Sequence, residues 1–289
     1  MLRFGGPIFL NAEPGTGADG ANLPDPVFLA RAHKAKGYTA GYAPPVKLHE
    51  TDRIRAVRKA FEAEDVRIAE VGFWENLIDT DPQARAANRK SMAEALALAE
   101  ELNACCAVDI LGTYGPGNTH SARNFSKEAF DEAVQMARSF IDEVKPRRAF
   151  FTYEIFPFNV VDSPEMIAKL VKAVDRRQFG VHLDLVNLIN CPRAYWTSGD
   201  IMRQCIELFG DRIVSAHAKD IRMRAPAISV ILEEVMPGTG VVDIATCLRE
   251  LHKLPQAVPY MMEHLGSEAE YDQAAAHIRK VAAAEGISI

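Results

Sequence analysis

The sequence predicts an α/β protein built as a closed (β/α)8 barrel. Short apolar runs alternate with longer amphipathic runs, eight of each, which argues for a parallel sheet joined by crossover helices. The short runs are almost continuously apolar, as strands buried on both faces must be. Eight such units in 289 residues match the count and size of a barrel. An open doubly wound sheet is the alternative. It usually opens its first helix with a Gly-rich turn. Here Gly5-Gly6-Pro7 lies inside the first strand and Gly15, Gly17 and Gly20 lie in the loop after it, so no G-x-G-x-x-G follows a strand directly.

The strands are expected near 2–10, 38–43, 66–72, 105–111, 148–155, 179–185, 213–218 and 258–264. Helices are expected near 26–36, 50–64, 83–103, 126–144, 163–176, 198–209, 243–253 and 268–285. The first segment, MLRFGGPIFLNAEPG, has one basic residue and an apolar patch broken by Gly5, Gly6 and Pro7, so it reads as a strand and not as a secretory signal. The third strand, in AEVGFWEN, carries Glu70 and is followed by Trp74. The helix near 83–103 opens after Asp81-Pro82 and runs through SMAEALALAEEL without Gly or Pro. Adjacent Cys105 and Cys106 in the fourth strand read as small core hydrophobes. Asp162-Ser163-Pro164-Glu165 starts the fifth helix, with a capping side chain, Pro in the first turn and an acid at the positive helix end. There is no internal repeat or linker, and residues 1–289 are expected to form a single domain.

With 48% hydrophobic and 25% charged residues the chain is an ordinary globular protein. Its net charge of −6 and the lack of a basic cluster interleaved with aromatics argue against nucleic acid as a partner. No apolar run approaches the ~20 residues of a membrane helix. Five cysteines without a C-x-x-C pair suit reduced thiols and a cytoplasmic location. A homo-oligomer stays open.

Four polar residues break the apolar pattern: Glu154 in FFTYEIFP, Asp184 in GVHLDLVN, His217 in IVSAHAKD and Glu263 in PYMMEHLG. Any one alone could cap a helix or sit on the surface. Together they end the fifth to eighth strands, and barrels place their active sites at the C-terminal ends of strands. Buried carboxylates must pair with cations or take up protons. Three of them carry −3, and a divalent ion would leave −1, so that one can still act as a base. Oxygen-rich ligands with one imidazole favour Mn²⁺, Mg²⁺ or Co²⁺, and Zn²⁺ also suits the set. Such an ion can chelate the carbonyl and hydroxyl oxygens of a sugar, acidify the C–H between them and stabilise the enediolate. Glu154 and Glu263 flank that position as acid/base groups. The same intermediate can lose water or CO₂.

The order Glu154, Asp184, His217, Glu263, with His-Ala-Lys-Asp at 217–220 and Pro-Gly-Thr-Gly-Val-Val-Asp at 237–243, resembles the xylose isomerase-like TIM barrels. That superfamily holds sugar epimerases of the tagatose/psicose type, hydroxypyruvate isomerase, inosose dehydratase and the endonuclease IV repair enzymes. The resemblance implies that the four residues are metal ligands and that Glu154 and Glu263 double as acid/base groups. In the ketose 3-epimerases a histidine follows the strand-6 aspartate by three residues and contacts substrate. Here Asn187 stands there. Their arginine six residues after the strand-7 histidine is replaced by Met223, with Arg222 and Arg224 beside it. Endonuclease IV needs more zinc-binding histidines than this chain offers at matching places.

The expected activity is therefore that of a metal-dependent sugar isomerase or epimerase. The alternatives are a lyase (an inosose-type dehydratase or a keto sugar acid decarboxylase) and a non-catalytic binding barrel. Candidate substrate contacts are His182, which shares a strand face with Asp184, Asn187, Lys219, Arg222, Trp74 and His120. Each has a structural alternative: a barrel-interior histidine, a salt bridge from Lys219 to a site acid, a solvated arginine, a packed Trp. Asp220 is expected to orient a neighbour or cap a turn, and His264 to point away from the pocket.

Overall fold

A computed structural model describes residues 2–9, 15–16, 22–226 and 228–289. Among these residues eight parallel strands alternate with eight helices that pack around them. They run β1 (Arg3–Gly5), α1 (Pro26–Ala35), β2 (Ala40–Gly41), α2 (Thr51–Ala63), β3 in two pieces (Arg67–Ile68 and Glu70–Gly72), α3 (Pro82–Leu102), β4 (Cys106–Asp109) and α4 (Lys127–Val144). Then follow β5 (Phe150–Tyr153), α5 (Pro164–Val174), β6 (Val181–Asp184), α6 (Ser198–Phe209), β7 (Ile213–Ala218), α7 (Ile244–Lys253), β8 (Pro259–Met262) and α8 (Glu268–Ala284). A short helix, Pro192–Trp196, precedes α6, and an antiparallel hairpin of Asp220–Met223 and Leu232–Val235 follows β7.

The ring closes. β1 pairs with β2 through Gly5 and Ala40 and with β8 through Phe4 and Tyr260. β3 pairs with β2 and β4, and β4 with β5. Two isolated bridges, Phe151–Phe179 and Glu154–His182, join β5 to the β6 side. β7 then pairs with β6 and β8. Each predicted helix is present, with its ends shifted by at most two residues. β7 has the predicted bounds, and the other seven strands are shorter than predicted at one or both ends. Residue 10, at the end of the first predicted strand, and Gly17 and Gly20 of the loop after it lie outside the described residues.

Local chemistry sets the helix starts. Asp25 caps α1 by accepting from the Val27 and Phe28 amides, and Asp81 caps α3 by accepting from Gln83 N. The start of α5 differs in one detail. Pro164 and Glu165 sit where expected, but the Ser163 hydroxyl donates to Asp162 Oδ1 and makes no cap hydrogen bond to the helix. Between sheet and helices lies one large apolar core. Phe151, for example, packs edge-on against Phe140 from α4 with ring centroids 5.2 Å apart. Cys105 and Cys106 are both buried free thiols outside that core, Cys106 packing with Val108 and Val214. No described helix is long and apolar enough to cross a membrane.

The inside of the barrel is different. Around the axis Gly5 leaves no room for a side chain, since a Cβ there would stand 2.0 Å from Ala40 O. Above it the inward positions are polar and buried: Glu70, Thr152, His182, Asp184, Ser215 and His217. The core of this barrel therefore carries charge.

Candidate metal centre and active-site cleft

Strand alternation brings the four singled-out residues together. Asp184 ends β6, His217 lies in β7 directly beside it in the ladder, and Glu154 and Glu263 stand one residue past β5 and β8. One ligand atom from each lies within 4.8 Å of all the others. His217 Nδ1 faces the three acids, at 3.0 Å from Glu154 Oε1, 2.8 Å from Glu263 Oε1 and 3.5 Å from Asp184 Oδ2. One nitrogen can direct one proton at one oxygen, and it is paired with Glu154. Asp184 Oδ2 and Glu263 Oε1 are buried without a directed hydrogen bond, although both lie beside the Lys219 ammonium. Beyond that one shared ammonium the two oxygens have no partner, and two carboxylates on one cation leave negative charge uncompensated. A divalent ion held by Glu154, Asp184, His217 and Glu263 would satisfy both, so the donor set fits a metal.

The electrostatics are uneven. Burial pushes Glu154 up to about 7 against the pull of His217. Burial acts the same way on Glu263, but the close His217 and Lys219 outweigh it and hold this carboxyl at about 2. Asp184 is also held well below the usual range, since Lys219 and His217 overcome its burial. For His217 burial is outweighed by the charges of Glu70 and Glu154, which raise it well above an ordinary histidine.

Below the centre runs a second buried group. His217 Nε2 lies 3.1 Å from His182 Nε2 and 3.5 Å from Glu70 Oε1. His182 Nδ1 is 3.4 Å from Glu70 Oε2, to which the Ser215 hydroxyl also donates at 3.2 Å. Burial first, and then the charge of His217, lower His182 to about 4, so its ring is neutral. If Nδ1 of His217 is to ligate, its proton must sit on Nε2 and point at His182 Nε2; the His182 proton is then on Nδ1, buried 3.4 Å from Glu70 Oε2 without a directed hydrogen bond. Buried carboxylate partners commonly set a ligand histidine in this way.

A cleft of about 410 Å³ opens above the centre. Glu154 and Glu263 line it together with Asn187, Lys219, Glu234, His264, Trp74, Ile110 and Phe156. Asp184 and His217 sit behind the two glutamates and are buried.

Several expected substrate contacts fare differently. Asn187 lines the cleft, where its Nδ2 donates to Ile155 O at 2.9 Å. Lys219 also lines it, while pairing with Asp184 at 2.7 Å and with Glu263. Trp74 forms one wall, on a backbone with φ of 59°. His182 does not reach the cleft; it is fully buried beneath His217. Arg222 is exposed on the hairpin, opposite Glu233, and does not line the cleft, because the chain turns outward after Asp220. His120 lines an adjoining pocket instead.

His264 was expected to point away, yet it lies at the mouth, 3.2 Å from Glu234. The ladder ends at Met262, and the positive φ of His264 (60°) breaks the alternation that the expectation relied on. Asp220 caps a turn. Its carboxylate accepts from the amides of Ile221, Gly238, Gly240 and Val242, which ties the 217–220 stretch to the glycine loop. A Cβ at Gly240 would come within 2.3 Å of that carboxylate. Asp243 then caps α7 by accepting from Thr246 N.

Sequence reasoning missed the role of Glu70. Its signal was the same as for the other four, an acid inside an apolar strand. It also missed Asp109, which ends β4 fully buried, accepts from the Glu75 and Leu111 amides, and is pushed by burial to about 7.

A family model described as xylose isomerase-like TIM barrel matches residues 29–281. No curated protein matches the chain significantly. Among solved structures, a xylose isomerase-like TIM barrel protein from Mycobacterium smegmatis in complex with magnesium is 15% identical, with a TM-score of 0.67 over 98% of this chain and 97% of that one. D-psicose 3-epimerase with D-tagatose from Clostridium cellulolyticum H10 is 14% identical, with a TM-score of 0.67 over 99% and 100%. The probable 3-DHS dehydratase from Bacillus anthracis is 14% identical, with a TM-score of 0.56 over 80% and 81%. At these identities the likeness is one of fold.

Proposed function

The chain belongs to the xylose isomerase-like TIM barrel family, and from this we propose that it is a divalent-metal-dependent isomerase or epimerase of a sugar or sugar derivative. The observation that carries the reading is the division of the four ligands. Glu154 and Glu263 face the cleft from β5 and β8, whereas Asp184 and His217 are buried behind them. Two carboxylates on either side of one bound carbon are what proton removal and return require.

Mn²⁺, Mg²⁺ and Co²⁺ suit the three-oxygen, one-nitrogen set, and Zn²⁺ remains compatible with it. When bound, the ion would supply Lewis-acid polarisation of adjacent carbonyl and hydroxyl oxygens and so acidify the C–H between them. Glu154, which burial holds least readily ionised of the three acids, takes that proton. The substrate becomes an enediolate, and Glu263, a carboxylate that must first take up a proton from solvent, delivers that proton at the same carbon or its neighbour. Asp184 and His217 hold position. Lys219 keeps an ammonium at the cleft wall, where it steadies the negative charge that builds on substrate oxygen. Trp74 and Phe156 exclude water from one side.

A lyase is the second reading, favoured by the same Lys219. An ammonium facing the cleft can also hydrogen-bond the oxygen of a departing hydroxyl group and steady its negative charge. The test is a panel of sugars, keto-sugars and sugar acids incubated with the Mn²⁺-loaded protein in D₂O. An isomerase or epimerase incorporates deuterium into recovered substrate. A lyase consumes substrate and yields water or CO₂. No metal-dependent exchange or turnover with any member would overturn both readings.

A further inference from the structure

The cleft over the metal centre continues sideways into a second compartment of about 130 Å³ above β3, β4 and β5. The two share Trp74, Ile110 and Phe156 as a common wall. We propose that this side compartment is a subsite for a second neutral sugar ring, so that the substrate is a glycoside or disaccharide and not a free monosaccharide or a sugar phosphate. The proposal rests on the sugar-enzyme reading above.

Three features support it. The compartment offers aromatic faces: Trp74 at the boundary, Phe156, and Phe158 with His120 stacked on it at 3.7 Å and 12° between planes. Trp74 and Phe158 are each 42% exposed, so part of each ring is open to a ligand. A pyranose has apolar C–H faces and a polar rim, and flat aromatic surfaces suit such faces.

The charge is also selective. Among the described residues no lysine or arginine lines the compartment; the ionisable groups there are Glu75 and His120. A phosphate or carboxylate substituent would find no fixed cation there, whereas a neutral ring needs none.

Finally, the compartment is preformed. Asn76 and Asn124 are buried and used to brace its floor. Asn76 Oδ1 accepts from Thr113 N and Ile78 N, and Asn124 Nδ2 donates to Phe158 O. Gly112, at φ of 96°, packs against Asn76 so closely that a Cβ would stand 2.1 Å from its Oδ1. A braced site spends little affinity on ordering itself when a ring enters.

The chain has two tryptophans, and Trp196 is well exposed on its short helix. In a Trp196→Phe background Trp74 alone reports. The test is fluorescence titration of the Mn²⁺-loaded protein with glucose, fructose, cellobiose, maltose, sucrose and glucose 6-phosphate. At least one disaccharide is expected to bind about tenfold more tightly than either hexose, with glucose 6-phosphate gaining nothing. Phe158→Ala and His120→Ala, both at exposed positions, should each erase that advantage with an unchanged melting temperature. Equal affinities for hexoses and disaccharides, or an advantage that survives Phe158→Ala, would overturn the subsite while leaving metal-dependent hexose binding in place. Absence of any metal-dependent quenching would overturn the sugar-enzyme reading as well.

Discussion

His217 and His182 meet edge to face inside the barrel, Nε2 to Nε2 at 3.1 Å, with ring centroids 4.2 Å apart. One histidine serves the upper face of the site and the other ties it to Glu70 below. The contact decides which nitrogen of His217 is free to bind a metal. It also makes a residue that never touches the cleft part of the site.

Glu70→Gln should therefore weaken Mn²⁺ binding about 10–100-fold while the fold stays intact, since outer partners of ligand histidines have effects of that order. Calorimetric titration measures it. A dissociation constant equal to wild type would remove Glu70 and His182 from any positioning role.

Glu154→Gln and Glu263→Gln should each lower turnover by a factor on the order of 10²–10⁴, the contribution of a positioned acid or base. Circular dichroism should show an unchanged fold. Near-normal activity in either variant would take that residue out of proton transfer.

The same two variants should differ in stability when metal-free. Glu154 has a folded pKa of about 7, above its ordinary value of 4.5, so its contribution is favourable at low pH and is lost as pH rises from 4.5 through 7. At pH 8 the folded state holds a carboxylate that burial disfavours, and Gln removes that penalty. Glu263 is held at about 2, so its contribution is present above 4.5 and lost only as pH falls toward 2. At pH 8 Gln forfeits it. The melting temperature of the metal-free protein should hold or rise for Glu154→Gln and fall for Glu263→Gln. The opposite order would show that the asymmetry between the two carboxyls has been misread.

EDTA should abolish activity, and Mn²⁺, Mg²⁺ or Co²⁺ should restore it. Adding Mn²⁺ at about 100 times its dissociation constant should stabilise the fold by about 2.7 kcal/mol, visible as a higher melting temperature. Full activity in protein confirmed metal-free would defeat the metal-enzyme reading. An unchanged melting temperature with no ion bound would favour a binding barrel.

The ligand set was legible because each member is an ionisable group within a run that otherwise has to be apolar. Glu70 carried the same signal but was not grouped with the other four. Its place beneath His217 depends on β3 and β7 facing each other across the barrel. Arg222 and His264 were misplaced for a common reason. Both lie past the barrel ladder, Arg222 in the antiparallel hairpin that turns outward after β7 and His264 on a backbone with positive φ.

The loops above β3 and β4 lack periodicity altogether. Nothing in their order of residues says that Asn76 braces Thr113, or that His120 lies flat on Phe158. Periodicity and burial are local properties, so the chain by itself determined the eight-fold alternation, the barrel and four charged residues at four strand ends. Which of those residues face the cleft, which stand behind, and what lies beside them depend on contacts between residues far apart in sequence. Only the closed ring of strands decided those.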